Sequence, residues 1–260
     1  MSNAMSDSNP SPRLAVITGG SRGLGRSSAV HLARMGVASI LTYRDNKTEA
    51  DKAVAEVAAA GAKAVALPLD VGRADTFAAF ADAVQRALPT FGRAHFDFLV
   101  NNAGMGLHKP FVETSEAELD ALYQVHLKGP FLLTQALLPL MEDGGRILNV
   151  SSGLARFTYP GYSAYAAMKG AVEVLTRYQA RELGARRITV NTLAPGAIET
   201  DFNGGVVRAN RELNQMIAST TALGRVGLPD DVGGAVATLL TGALAWVDGQ
   251  RIEVSGGQGL

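Results

Sequence analysis

Leu14-Ala15-Val16-Ile17-Thr18-Gly19-Gly20-Ser21-Arg22-Gly23-Leu24-Gly25 is the stretch whose reading decides the fold. Val16-Ile17-Thr18 reads as a short strand, and the glycine-rich turn after it opens a segment of helical period that runs from Gly23 to Met35. Glycine lets the backbone turn with positive φ and approach a ligand closely, while a helix N-terminus offers unpaired N–H groups and a positive dipole to a pyrophosphate. The spacing is Gly19, three residues, Gly23, one residue, Gly25. Alone, such a turn is only a tight strand-to-helix connection. At the first strand of an alternating α/β chain it reads as a dinucleotide-binding loop, with Gly19, Ser21, Arg22, Gly23, Leu24 and Gly25 as candidate contacts.

Working outward, the same alternation continues without a break in composition. Ser39–Thr42, Ala64–Leu67, Phe98–Val100, Ile147–Val150, Ile188–Val190 and Ile252–Val254 read as further strands, their apolar runs suiting a parallel sheet buried on both faces. Between them the periodicity predicts helices near Lys47–Ala60, Ala74–Ala87, Glu116–Met141, Ser163–Leu183 and Asp230–Leu240. Right-handed crossovers then give one doubly wound Rossmann domain over 13–260, a seven-stranded parallel sheet with helices on both faces and ligands beyond the carboxyl ends of the strands. The Ser/Asn/Pro-rich residues Met1 to Pro12, with a second methionine at Met5, read as a leader and flexible start outside the fold. Pro195 to Thr220 reads as one long irregular stretch, the kind that serves as a lid or a mobile segment.

Composition removes several function classes. The chain has 24 Lys and Arg against 24 Asp and Glu, so neither nucleic acid nor an anionic membrane has an electrostatic case as partner. No apolar run approaches the roughly 20 residues of a spanning helix. The absence of cysteine excludes disulfides, thiolate metal sites and cysteine nucleophiles, and is compatible with a reducing cytoplasm. The four histidines show no ligand spacing, so no metal site is expected.

Cofactor choice is read at the end of the second strand, where an acid would hold the ribose hydroxyl of NAD. Tyr43 stands there, followed by Arg44. A guanidinium suits a phosphate, and Arg22 lies in the glycine loop nearby, which favours the 2′-phosphate of NADP; Asp45, one place on, is the alternative ribose partner and would make NAD the cofactor.

Tyr165-Ala166-Ala167-Met168-Lys169 falls inside the helix from Ser163, and four-residue spacing puts phenol and ammonium on one face. Bringing a phenol of pKa about 10 to neutrality needs roughly 4 kcal/mol. One cation at ~4 Å in an effective dielectric of ~20 supplies about that, so Lys169 alone is expected to suffice. Ser152, on the turn after the strand ending at Val150, would face the same crevice and donate to a substrate oxygen. Taken singly, a Tyr/Lys pair on a helix is a packed ring with a snorkelling lysine, and Ser151-Ser152 is a turn. Their joint occurrence downstream of a dinucleotide loop points to hydride transfer between a nicotinamide cofactor and a small-molecule carbonyl or alcohol.

With these motifs in place the chain resembles the short-chain dehydrogenase/reductase family over its length from Arg13, in particular NADP-preferring members such as 3-oxoacyl-ACP reductases and glucose dehydrogenases. The resemblance rests on Thr18–Gly25, Asp70-Val71, Asn101-Asn102-Ala103-Gly104, Ser152, Tyr165/Lys169, Pro195-Gly196 with Thr200, and Ser255-Gly256-Gly257. It implies that Tyr165 is the acid–base, that Ser152 polarises the substrate and that Lys169 also holds the nicotinamide ribose. It further implies that Asp70 and Val71 contact the adenine, that Asn102, Ala103 and Gly104 line the cofactor, and that Pro195, Gly196, Ile198 and Thr200 place the nicotinamide. A homotetramer packed through the Glu116–Met141 and Ser163–Leu183 helices is implied as well, although their length and apolar content equally suit packing on the sheet. One position departs from the family. His126, in Val125-His126-Leu127-Lys128-Gly129, stands where an Asn usually completes a proton relay. Either the backbone holds the relay and the His is tolerated, even shuttling protons near a pKa of about 6.5, or turnover falls and the chain is an NADP(H)-binding sensor or scaffold.

Overall fold

A computed structural model describes residues 12–260; the leader expected over 1–12 therefore lies, but for Pro12, outside the described residues. Seven parallel strands, β1 (Leu14–Ile17), β2 (Ala38–Tyr43), β3 (Ala64–Pro68), β4 (Phe96–Asn101), β5 (Met141–Val150), β6 (Thr189–Pro195) and β7 (Arg251–Val254), form one sheet in the order β3-β2-β1-β4-β5-β6-β7. Alternate residues feed opposite faces. Leu14 and Val16 join a core with Ile40, Leu99, Ile147 and Val190, while Ala15 and Ile17 join the other core with Leu41, Val100, Leu148 and Leu193. Because both faces are buried, β1 carries apolar residues at every position, which is why it reads as a continuous run.

Helices α1 (Gly23–Arg34) and α2 (Lys47–Ala59) connect the first three strands, and α3 (Phe77–Ala87) leads into β4. The helix predicted over Glu116–Met141 is not continuous. It divides into α4 (Glu116–Tyr123), a π-helical turn (Gln124–Lys128) and α5 (Gly129–Leu137), a 3₁₀ turn follows, and Met141 already belongs to β5, paired with Phe96. Pro130 and Pro139 are the physical cause: each lacks an N–H, and its ring crowds the carbonyl four residues back, so the ladder widens at the first and ends at the second. Helix α6 (Ser163–Leu183) has the predicted bounds.

Pro195–Thr220 is also more ordered than expected. Beyond β6 it carries a 3₁₀ turn (Phe202–Gly205) and two short helices, α7 (Val206–Ala209) and α8 (Arg211–Ser219), the latter capped by the Asn210 side chain accepting from the Leu213 N–H at 3.0 Å. Helix α9 (Pro229–Thr241) then packs against α1 and reaches β5 and β7. Strand order reverses direction between β1 and β4, and the crevice at their carboxyl ends is where a doubly wound sheet receives a ligand.

Candidate active site

The crevice is built first by Thr18, one residue past β1. Its Oγ1 accepts from the Asn102 N–H (2.9 Å) and the Ala103 N–H (3.0 Å), and the Asn102 amide donates to the Thr18 (2.8 Å) and Gly19 (3.2 Å) carbonyls. Asn102 thus spends its side chain tying the β4 exit to the glycine loop. Only its backbone and those of Ala103 and Gly104 are free to line a ligand.

Gly19 has φ +63°, and at Gly25 a Cβ would collide with the Gly19 carbonyl oxygen and lie 2.7 Å from Asn102 Nδ2. The turn is closed too tightly for any side chain. Helix α1 begins without a side-chain cap and without an acid in its first turn, whereas α2 and α4 are capped by Asn46 and Ser115. The α1 terminus therefore keeps unpaired N–H groups and an uncompensated positive dipole, which fit a pyrophosphate. Ser21 is buried, Arg22 exposed, and Gly23 faces the Thr200 side chain across the loop.

At the end of β2 Tyr43 is half-buried and Arg44 is exposed, with its Nε paired to Asp45. Asp45 is accordingly engaged with Arg44, and Asp70 adds to the field that holds the guanidinium protonated. Asp70 Oδ1 accepts from the Gly72 N–H at 2.8 Å, and Val71 is buried beside it. On the far side Pro195 ends β6, Gly196 packs on Ser255 and Gln258, and Ile198 bridges to Gly227. Gln258 was not singled out from sequence: buried 61 residues away, its Oε1 accepts from the Ala197 N–H at 2.9 Å.

Tyr165, Lys169 and Ser152 come together as expected. The Tyr165 ring is buried between His126, edge-on at 5.3 Å, and Phe202 at 6.1 Å, with Lys169 Nζ 5.6 Å from its centroid. Lys169 Nζ donates to the Val150 carbonyl at 2.8 Å. A hydrogen bond with Ser152 favours the phenolate of Tyr165, but burial is the larger influence and pushes the phenol above its ordinary value. Burial also pushes Lys169 down to about 7. The expectation that Lys169 alone would bring the phenol to neutrality is therefore not met, because the desolvation that strengthens the attraction penalises each charge separately.

His126 lies in the π-helical turn, 1% exposed, with Nε2 2.7 Å from the Met105 carbonyl. The Met105 N–H lies 3.3 Å from the same nitrogen; the carbonyl is closer and places the hydrogen on Nε2, leaving Nδ1 buried without a partner. Burial first, then the charge of Lys169, push the imidazole down to about 3. Burial thus disfavours the charged imidazole that shuttling near 6.5 needs. His126→Asn is accordingly expected to leave the shape of the rate–pH profile between about pH 5 and 9 unchanged; a limb present in the parent and lost in the variant would contradict it.

A cavity of about 480 Å³ is walled by His108, Pro110, Phe111, Leu154, Tyr159 and Tyr162 among others, and reaches Ser163 and Ala166 of the helix that carries Tyr165. Loops 105–111 and 154–162 line it, while loop 197–207 brings Phe202 to the Tyr165 ring and Phe157 packs against Gly153. Among the described residues no group of His, Asp and Glu could hold a metal ion, and no helix is long and apolar enough to cross a membrane.

Comparison with known proteins agrees with this fold. The sequence family described as enoyl-(acyl carrier protein) reductase matches residues 19–258. A hydroxynaphthalene reductase-like protein, Arp2, of Metarhizium majus is 34% identical, with 97% of this chain and 99% of that protein covered. Among solved structures, the promiscuous reductase LugOII, which catalyses keto-reduction at C1 during lugdunomycin biosynthesis, superposes with TM-score 0.90 at 37% identity over 95% of this chain and 98% of the other. The angucycline C-6 ketoreductase LanV with bound NADP superposes with TM-score 0.89 at 32% identity over 95% of each chain.

Proposed function

This chain belongs to the short-chain dehydrogenase/reductase family, whose members work on carbonyl and alcohol groups with a nicotinamide cofactor, and from that premise we propose that it is an NADPH-dependent reductase of planar, fused-ring aromatic ketones. The observation that carries the reading is Tyr165, buried beside Lys169 and Ser152, on the helix whose Ser163 and Ala166 line an aromatic-walled cavity.

The cradle fits the cofactor. Gly19 to Gly25 and the open α1 terminus would hold the pyrophosphate, Arg22 and Arg44 the 2′-phosphate beside Tyr43, Asp70 and Val71 the adenine, and the backbone of Asn102 to Gly104 the face toward β4. Lys169 would hold the nicotinamide ribose, with Pro195, Gly196, Ile198 and Thr200 beside the ring. When bound, the nicotinamide supplies the hydride.

The protein's own part is the proton. Burial keeps the Tyr165 phenol protonated at neutral pH, so it enters the reaction as an acid, the form needed for reduction. Ser152 Oγ donates to the ketone oxygen and holds it within reach of the phenol. As the proton leaves, the Lys169 ammonium, whose Nζ lies 5.6 Å from the ring centroid, favours the phenolate. His126 takes the usual Asn position and packs edge-on against the Tyr165 ring, with Ser152 and Lys169 still beside the phenol, which weighs for turnover and against a silent sensor.

The test is NADPH oxidation with tetralone-type fused-ring ketones, aliphatic ketones and a 3-oxoacyl thioester. The fused-ring ketones should lead by about tenfold or more in kcat/KM, as aromatic packing in a matched cavity predicts. Arg44→Ala should narrow the NADPH/NADH ratio by about tenfold, the worth of one charge-assisted hydrogen bond. Tight NADPH binding with no turnover of any carbonyl or alcohol would reject the proposal in favour of the sensor.

A further inference from the structure

Ser152 and the Tyr165/Lys169 pair enter the site from separate elements, the loop after β5 and helix α6, so their mutual geometry depends on what couples the two. A chain of four alternating charges runs behind this junction: Glu173 on α6, Arg251 and Glu253 on β7, and Arg156 on the loop. Arg251 Nε donates to Glu173 at 2.8 Å and its Nη1 to Glu253 at 2.7 Å; Arg156 donates to both Glu253 oxygens, at 2.8 and 2.7 Å. Glu173, Glu253 and Arg251 are largely buried, and only Arg156 reaches the rim.

This ladder grips the loop at three points. Ser151 Oγ lies 2.8 Å from Glu173 Oε1 and 3.2 Å from the Lys169 carbonyl, Arg251 Nη2 lies 3.4 Å from the Ser152 carbonyl, and Arg156 is held in a two-pronged pair by Glu253. Glu173 stands four residues beyond Lys169, where a carboxylate would ordinarily pair with it along the helix. Its hydrogen bonds go to Ser151 and Arg251 instead, so the carboxylate serves the loop.

We propose that Glu173 and Arg251 are positioning residues for the reaction, locking the Ser152 loop onto α6 so that the serine hydroxyl stays in register with Tyr165. Neither touches substrate or cofactor; both act through Ser151 and the Ser152 backbone. The inference rests on the Ser152/Tyr165 reading above. Because reacting groups tolerate displacements of well under 1 Å, loosening this coupling lowers the chemical rate before it lowers binding.

The experiment compares Ser151→Ala, Glu173→Ala, Glu173→Gln and Arg251→Met with the parent, in the full chain, with Tyr165→Phe as a control. Ser151→Ala, Glu173→Ala and Arg251→Met should each lower kcat about tenfold, with the NADPH Kd, read from its own fluorescence, unchanged within about twofold. Glu173→Gln still accepts from Ser151 and Arg251 and should recover kcat to within about threefold of the parent. The inference is overturned by unchanged kcat in well-folded Ala variants, by a Gln variant as slow as the Ala variant, or by a loss that falls equally on NADPH affinity. If Glu173→Ala does not fold, Ser151→Ala carries the same test by deleting a single hydroxyl. A Tyr165→Phe enzyme as fast as the parent removes the acid–base reading itself, whereas an inactive Tyr165→Phe beside an unimpaired Glu173→Ala removes only the ladder.

Discussion

Tyr165→Phe is expected to cut the rate of ketone reduction by about 10²–10⁴-fold, the range of a positioned general acid, while the NADPH Kd stays within about twofold. The substitution deletes one oxygen and keeps the ring, whose packing against His126 and Phe202 does not depend on the hydroxyl. The fold should therefore survive and the loss should lie in kcat. The expectation follows from burial: with the phenol raised above its ordinary value, Tyr165 holds the proton at neutral pH, while Lys169, lowered to about 7, gives one hydrogen bond to the Val150 carbonyl. Ser152 can still donate to the ketone in the variant, which explains a residual rate. Single-turnover reduction with NADPH at pH 7 is the measurement, and parent-like turnover would show that the proton comes from elsewhere.

The second large effect is at the cradle. Gly25→Ala should weaken NADPH binding by about a hundredfold or more, because a Cβ there meets the Gly19 carbonyl and Asn102 Nδ2, neither of which can move freely. Asn102 is already committed to the Thr18 and Gly19 carbonyls, and Gly19 is anchored through its N–H to Thr42 Oγ1 at 3.0 Å. Relief requires opening the turn, which separates the α1 terminus from the β4 exit. Overpacking of this kind also costs stability, about 1–3 kcal/mol, so thermal melting should fall together with affinity. Gly170→Ala on α6 is the matched control: nothing lies within 4 Å of its added Cβ, and it should bind NADPH like the parent. Parent-like affinity in Gly25→Ala would mean that the loop is not the pyrophosphate site.

Much of this site is local in sequence and therefore legible there. The strand, turn and helix of Leu14–Gly25 are contiguous, and Tyr165 and Lys169 share a helix face by spacing alone. The break in the Glu116–Met141 segment was also signalled, by Pro130 and Pro139, but apolar periodicity on both sides of Pro130 masked it. The helix Val206–Ala209 escaped because a single turn leaves little periodic trace, whereas Arg211–Ser219 does carry Leu213, Met216 and Ile217 at helical spacing after the Asn210 cap.

What the sequence determined by itself is the alternating fold, the glycine turn after β1 and the shared helix face of Tyr165 and Lys169, because each is carried by residues close together along the chain. What only the tertiary structure decided is how those residues are charged and held. Burial raises Tyr165, lowers Lys169 and keeps His126 neutral, reversing the sign expected from spacing and a single cation. Desolvation depends on everything packed around a group, and the clamps from Gln258, Arg251 and Glu253 join positions 61 to 97 residues apart. No local pattern encodes either, since both arise only when the sheet brings the ends of β5, β6 and β7 together.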